Sequence, residues 1–533
     1  MKFLSLSICF FLLISLFVAL EASATTYYVS PTGNDNDLGT LNEPWKTINK
    51  ANNELLPGDI VYLREGTYQQ TIRPTRSGNA GQYITYSRYQ NEVPRITNVN
   101  IGINLDSRSY IVIDGLTVDG NSHGPPGSQT EADVDKWMSM TSSSRNIVKN
   151  CNFQYARSGI QVREGSNYNV FQNNIMHYVY TNLDPPKDSG NMIILRASNH
   201  NLIENNDMAY SGHNLITIPR DSNYNVVRNN NLHSHWHRAH MIAGSFNVFE
   251  GNYVSDSSSQ ITKDPDGGKN LGRNNIYRRN MFHSNEFFGF RDTTNKASPE
   301  TYLNRIYNNV AYGNGQGMVN IQMNSGTTAY DIMYKNNIAY NNQGSRVIDI
   351  SPSGSSDPFA GRVFNNNILL GGNIDTKAYG FHDVSWYQQN HPANFMNNIA
   401  VNPQFVNPNA TLPDFRLQSG SPAIDEGAFL TQTSSFGSGT TMNVEDALYF
   451  TDGLGIIEGD LIQLEGQTQT ARITNISGNT ITLDTPLSWN NNQGVSLAYN
   501  GSAPDIGAYE YVSGGTPPPD TNPPSPPFGL IIQ

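Results

Sequence analysis

The feature that most limits what this chain can fold into is an asparagine that returns every 22 to 32 residues through its middle. It heads similar short runs: KNCNF at Asn152, QNNIM at Asn174, ENNDM at Asn206, RNNNL at Asn230, EGNYV at Asn252 and RRNMF at Asn280. The series continues as YNNVA at Asn309, KNNIA at Asn337, NNNIL at Asn366 and MNNIA at Asn398. Units this short cannot bury an apolar face alone, so each must stack on its neighbours. Between the asparagines a second piece recurs as SGIQVR, SGNMIILR, SGHNLITIPR, EFFGFR, GQGMVNIQM and GSRVIDI. Its alternating apolar residues read as a strand with one face inward, and nothing within the repeat has helical spacing.

Two or three short strands per period, joined by turns, make a solenoid of β coils: an all-β parallel β-helix. The asparagines fit its corners, where the backbone must visit the left-handed region and stacked amides about 4.8 Å apart can hydrogen-bond from coil to coil. Solenoid ends expose an apolar cross-section and need caps. At the front, EPWKTINKANNELLPGD places Trp45, Ile48, Ala51 and Leu55 on one helical face and stops at Pro57 to Asp59, which predicts a short N-terminal capping helix. The β-helix is expected over residues 25–430. Residues 431–511 shift to alternating Ile, Leu, Thr and Gly with EGD, EGQ and SGN turns, a small antiparallel β insert and closing segment. This insert reads as an end cap rather than a sugar-binding module. Residues 512–533 form a Pro-rich tail.

Residues 1–24 have the pattern of a signal peptide: Lys2, an apolar run, then Ala22, Ser23 and Ala24. Export to a secreted or periplasmic location is therefore expected, with no membrane attachment after cleavage. Cleavage also removes Cys9 and leaves Cys151 as a lone thiol, expected to serve packing. A net charge of −12 with 15% charged residues argues against nucleic acid as a partner. A monomer without organic cofactor is expected.

The stretch TYYVSPTGNDNDLGTLNEPWKTINKA resembles the opening of secreted right-handed parallel β-helix proteins, including pectate-lyase-like polysaccharide lyases of the ninth lyase family. SPAIDEGA at 421–428 and APDIGAYEY at 503–511 resemble their closing signature. The resemblance covers residues 25–511 and implies a right-handed helix and an enzyme that cleaves uronate-containing, acidic polysaccharide by β-elimination. Lyases of the pectate type use an aspartate cluster for calcium and a lysine base. Here only Lys263, Asp264 and Asp266, in TKDPDGG, correspond, and no run of several aspartates stands at one corner.

The residues themselves suggest where chemistry could sit. Coils lengthen at 121–140, 177–191, 262–273 and 291–302, which predicts a loop-walled cleft near the middle of the solenoid. Strand alternation turns Arg163, Arg196 and Arg291 outward in one column, with Arg220 one residue late. Stacked like charges need an anion over them, or acidic loop partners such as Glu164, Asp221 and Asp292. His213 occupies the SGH slot where the preceding coil has SGN and Asn191. His240 begins the next strand and Lys263 follows, so His213, His240, Lys263 and Arg220 are expected to converge as catalytic residues. Asn191, His237 and Trp236 join the three arginines as substrate-binding residues, and Asp264 and Asp266 are the expected calcium ligands. The run HSHWHRAH raises a zinc site from His233, His235 and His237, but no distant Cys or paired acidic motif completes one. A glycoside hydrolase using two of Asp264, Asp266, Glu286 and Asp292, a uronate epimerase, and a noncatalytic glycan-binding surface protein are the alternatives.

Overall fold

The computed structural model describes residues 24–121, 133–179, 190–235, 237–256, 268–270, 272–294, 300–323, 328–352, 359 and 361–513. Three long sheets wind around one core. The first has fourteen strands, from Thr26–Val29 to Phe395–Met396; the second has twelve, from Gly66–Tyr68 to Ile368–Leu369; the third has twelve, from Val99–Asn104 to Gly380–His382. Each coil contributes one strand to each sheet, and pairing between coils is parallel throughout except at the closing strand Gly380–His382. This is the parallel β-helix that the repeat predicts.

The two asparagines of each NN pair divide the labour. The first takes the left-handed backbone, with φ of +56° at Asn173, +55° at Asn205 and +57° at Asn229. The second turns its amide inward. Asn174 donates its backbone N–H and its Nδ2 to Asn206 Oδ1 at 3.0 Å, and Asn206 does the same to Asn230 Oδ1. The ladder runs on through Asn252, Asn280, Asn309 and Asn337. At two ends of the series the rung is not the asparagine that heads the motif. Cys151, not Asn152, donates to Asn174, and Asn367, not Asn366, joins Asn337 to Asn398. Cys151 is buried, and that burial pushes its thiol up to about 12. Two further ladders, from Asn146 through Asn169 and Asn201, and from Asn285 through Asn314 to Asn342, line the other corners.

The caps are built as follows. The helix Ile48–Glu54 starts at Thr47, whose side chain accepts from the Lys50 N–H, and buries Ile48 and Ala51 over the first coil. Trp45 precedes it as a bridge to Val29 but is equally buried. At the far end, the helix Val384–Asn390 covers the last coil, and Gln388 Oε1 accepts the Asn398 N–H at 2.7 Å as a final rung. The six-stranded antiparallel sheet between Thr431 and Leu497 is therefore not an end cap. It lies along the flank of the first sheet, where Leu202, Val226, Val248 and Ile276 form an outward apolar row against Leu430, Ile462 and Val495. Arg278 pairs with Asp460 at 2.6 Å and Arg305 with Asp446 at 2.8 Å beneath it.

The core also takes in residues expected outside it. His240 falls in the inward row, in register with Ile216, which is itself paired to Ile193. Its ring is wholly buried, 4.0 Å from the Phe249 ring and near Tyr277, Phe282 and Phe290. The expectation of an outward, catalytic His240 is thus overturned: the alternation is right, but the strand starts at Arg238, so His240 takes an inward position. Asp292 likewise points inward and pairs with Arg362 at 2.9 Å, both fully buried, with the Tyr334 hydroxyl donating at 3.0 Å. It is neither a partner for Arg291 nor a hydrolytic carboxylate.

Two predictions follow from these placements. Asn230→Ala strips the acceptor from buried N–H groups and is expected to cost about 2–4 kcal/mol, seen as a lower denaturation midpoint. Asn229→Gly, at a left-handed position, is expected to stay within about 1 kcal/mol of the parent. Burial holds both His240 and His235 down to about 3. Each stays neutral when folded but charges when unfolded, so stability falls as the pH drops from about 6.5 toward 3, by about 2 kcal/mol per imidazole at pH 5. His240→Phe is expected to relieve part of that acid lability and to retain activity, checked by melting curves from pH 8 to 5 and by turnover.

Candidate active site on the third sheet

The outer face of the third sheet is where the expected site residues mostly gather. The lengthened segments at 121–140, 177–191, 262–273 and 291–302 lie in part outside the described residues. One row of register partners runs Gln161, Ile194, Thr217, Met241, Lys269, Arg291, Asn320, Asp349 and Asp375, its described side chains facing away from the core.

Arg163 and Arg196 are direct register partners, two residues beyond that row. Arg291 belongs to the row itself, between Lys269 and Asn320, so the three arginines do not form one column. The reason is the length of the strands: Phe288–Thr294 runs three residues past Arg291, whereas Ser158–Arg163 and Ile193–Arg196 stop at their arginines. Arg220 lies exposed in the turn after Asn214–Ile218. Two guanidinium groups at strand spacing repel. Among the described residues neither Glu164 nor Asp221 forms an ion pair with them, and Arg163 Nε has no acceptor.

A polar cluster stands at the opposite, starting ends of these strands, where Asn191 precedes Ile193–Arg196 and His213 precedes Asn214–Ile218. His213 Nδ1 lies 3.1 Å from Asn191 Oδ1, which also accepts from the Thr217 hydroxyl at 2.7 Å. Nδ1 also lies 3.2 Å from Asn214 Nδ2, a donor; the tautomer that gives the Nδ1 proton to the Asn191 amide oxygen leaves the lone pair on Nε2, the form a general base needs. The His237 ring is 4.8 Å from that of His213, and its Nε2 accepts from Arg238 at 2.6 Å. His213 therefore meets Asn191, the residue in the equivalent slot, and also His237, while His240 does not join them. Lys263, Asp264, Asp266 and Trp236 lie outside the described residues.

Sequence reasoning missed the carboxylates at the far end of the row. Asp349 and Asp375 are register neighbours; Arg346 lies 2.7 Å from Asp375 and 3.9 Å from Asp349. Asp349 is raised above the ordinary carboxylate range by burial, against the pull of Arg346 and hydrogen bonds from Ser351 and Asn320. The signal was available as an aspartate between Ile348 and Ile350 in an alternating strand. It also missed His177 and Asp207 on the second sheet, because they come from different coils than the histidine run.

That run divides three ways. His233 faces outward on the second sheet, His235 and His240 are buried, and His237 sits at the corner beside His213.

Comparisons with known proteins bear on the same architecture. The uncharacterized protein YwoF of Bacillus subtilis (strain 168) is 34% identical over 106 residues, 18% of this chain and 23% of that protein. Pectate lyase PEL9 of Emericella nidulans is 38% identical over 71 residues, 13% of this chain and 17% of that protein. The chain thus matches less than a quarter of the length of either relative. The crystal structure of pectate lyase Pel9A superposes with a TM-score of 0.44 at 17% identity, covering 92% of this chain and 97% of that one. A family model described as the Pel9A-like, right-handed β-helix region matches residues 27–348, more than half of the sequence, and the chain belongs to that family.

Proposed function

We propose that this protein is an exported polysaccharide lyase, acting as a monomer on uronate-containing glycan by β-elimination. The observation that carries the reading is the register pair Arg163 and Arg196 on the same face as the His213–His237 cluster. Adjacent guanidinium groups suit successive carboxylates of an acidic chain lying along the sheet. His213 Nε2 takes the proton from C5 of the uronate, and the electron pair forms the C4–C5 double bond as the bond from C4 to the glycosidic oxygen breaks. A protonated group returns a proton to that oxygen, a role for the second histidine of the cluster, His237. The arginines stabilise the charge that builds on the carboxylate before the bond breaks. Arg291 and Arg220 extend the binding track.

Calcium could serve the neutralising role if Asp264 and Asp266 held it, beside Lys263 as base. The carboxylates described on this face do not form such a cage, since Asp375 is held by Arg346. Neutralisation is therefore assigned to arginine. A second reading, hydrolysis, draws on the neighbouring carboxylates Asp349 and Asp375.

Incubation with polygalacturonate, alginate and glycosaminoglycans is expected to release product with the ultraviolet absorbance of an unsaturated uronate on at least one of them. Reducing ends without that absorbance would establish the hydrolase, altered uronate composition alone an epimerase, and binding without turnover a glycan-binding protein. His213→Ala is expected to lower kcat by about 10²–10⁴ with binding retained. Arg163→Ala and Arg196→Ala should chiefly raise KM, by about tenfold. Turnover should persist in EGTA; its loss would move the neutralising role to calcium.

A further inference from the structure

On the second sheet, away from the arginine face, three side chains from successive coils converge. His177 and His233 both stand in register with Ala209 of the strand between them, Asp207–Ser211. Ala209 has no side chain beyond its methyl, so the gap between the two imidazoles stays open. Asp207, two residues earlier on that middle strand, fills it from below. His177 Nε2 lies 2.8 Å from Asp207 Oδ2, and His233 Nε2 lies 3.2 Å from Asp207 Oδ1. The ligand atoms of all three lie within 4.8 Å of one another.

We propose that His177, Asp207 and His233 form a binding site for one first-row divalent cation, with zinc as the best fit to two imidazoles and a carboxylate. Zinc bonds of about 2.0–2.1 Å in a tetrahedron set ligand atoms roughly 3.4 Å apart. Both carboxylate–imidazole separations are already close to that, so only the gap between the two imidazoles must close. The side chains that would move are the partly exposed ones: His177 and His233 keep 13% and 18% of their surface, Asp207 only 3%.

The surroundings suit a metal as well as the ligands do. Asn231 Nδ2 donates to Asp207 Oδ1 at 2.7 Å and fixes the carboxylate. His233 Nδ1 lies 3.1 Å from the Ser234 hydroxyl, which can accept its proton and leave Nε2 as a lone pair toward the metal. The stacked rings of Tyr178 and Tyr210, 4.7 Å apart, stand edge-on to His177 and limit its swing. Three protein ligands at a partly exposed surface leave a fourth position for water, as in zinc sites that do chemistry rather than merely brace a fold.

The test is titration of the metal-stripped, full mature chain with Zn²⁺ alone, read by competition with a chromophoric chelator. One ion per chain with submicromolar affinity is expected, weakened at least 100-fold in His177→Ala, His233→Ala and Asp207→Asn, and unchanged in Arg163→Ala. Titration of the unsubstituted protein with Co²⁺ gives an answer that does not depend on the variants folding: intense visible bands of a four-coordinate ion are expected. Absence of stoichiometric binding, or zinc binding that survives all three substitutions in folded protein, would overturn the site and leave His177–Asp207–His233 as a hydrogen-bonded triad only.

Discussion

Everything in this molecule rests on the buried amide ladder. A solenoid corner turns the chain sharply and leaves backbone N–H groups inside, out of reach of water and of the sheet pairing on either side. Each ladder asparagine supplies the missing acceptor to the coil before it and spends its own Nδ2 on the amide oxygen of the coil after it and on a backbone carbonyl. Because the amide of one coil is satisfied only by the next, spacing between coils is fixed at the corners and propagates to the sheets. The outer rows that hold Arg163 beside Arg196, and His177 beside Asp207, are consequences of that spacing.

The fold was therefore legible from the period, while the site was legible only where strand starts align from coil to coil. Asn191 and His213 could be brought together because each stands at the start of its strand, and strand starts align. His240 could not be placed correctly from alternation alone, because a single residue of register decides between core and surface. Arg291 failed for a related reason: its strand continues past the arginine, so counting back from the strand's end gives the wrong row. Asp349 was overlooked because an aspartate between two isoleucines looks like ordinary alternation until burial shows that it is not ordinary solvent-exposed charge.

The histidine-rich run illustrates how a solenoid disperses neighbours in sequence. Four histidines within eight positions look like one site, yet corner geometry sends them to three environments. The groups that do converge come from coils more than twenty residues apart: His213 with Asn191, and His233 with His177. In such a fold the informative distance is the coil period, not the local spacing that metal and catalytic motifs usually follow.

The β module on the flank of the first sheet has a mechanical meaning. A solenoid held only by neighbour-to-neighbour contacts can fray coil by coil from its ends. Here one rigid sheet touches the coils that carry Leu202, Val226, Val248, Ile276 and Tyr307 at once, and is fastened by Arg278–Asp460 and Arg305–Asp446. It acts as a splint: no coil beneath it can open without releasing the module from all the others. The coils that carry His213, His237 and Arg291 belong to this splinted stretch, so the outer face of the third sheet is held to one curvature.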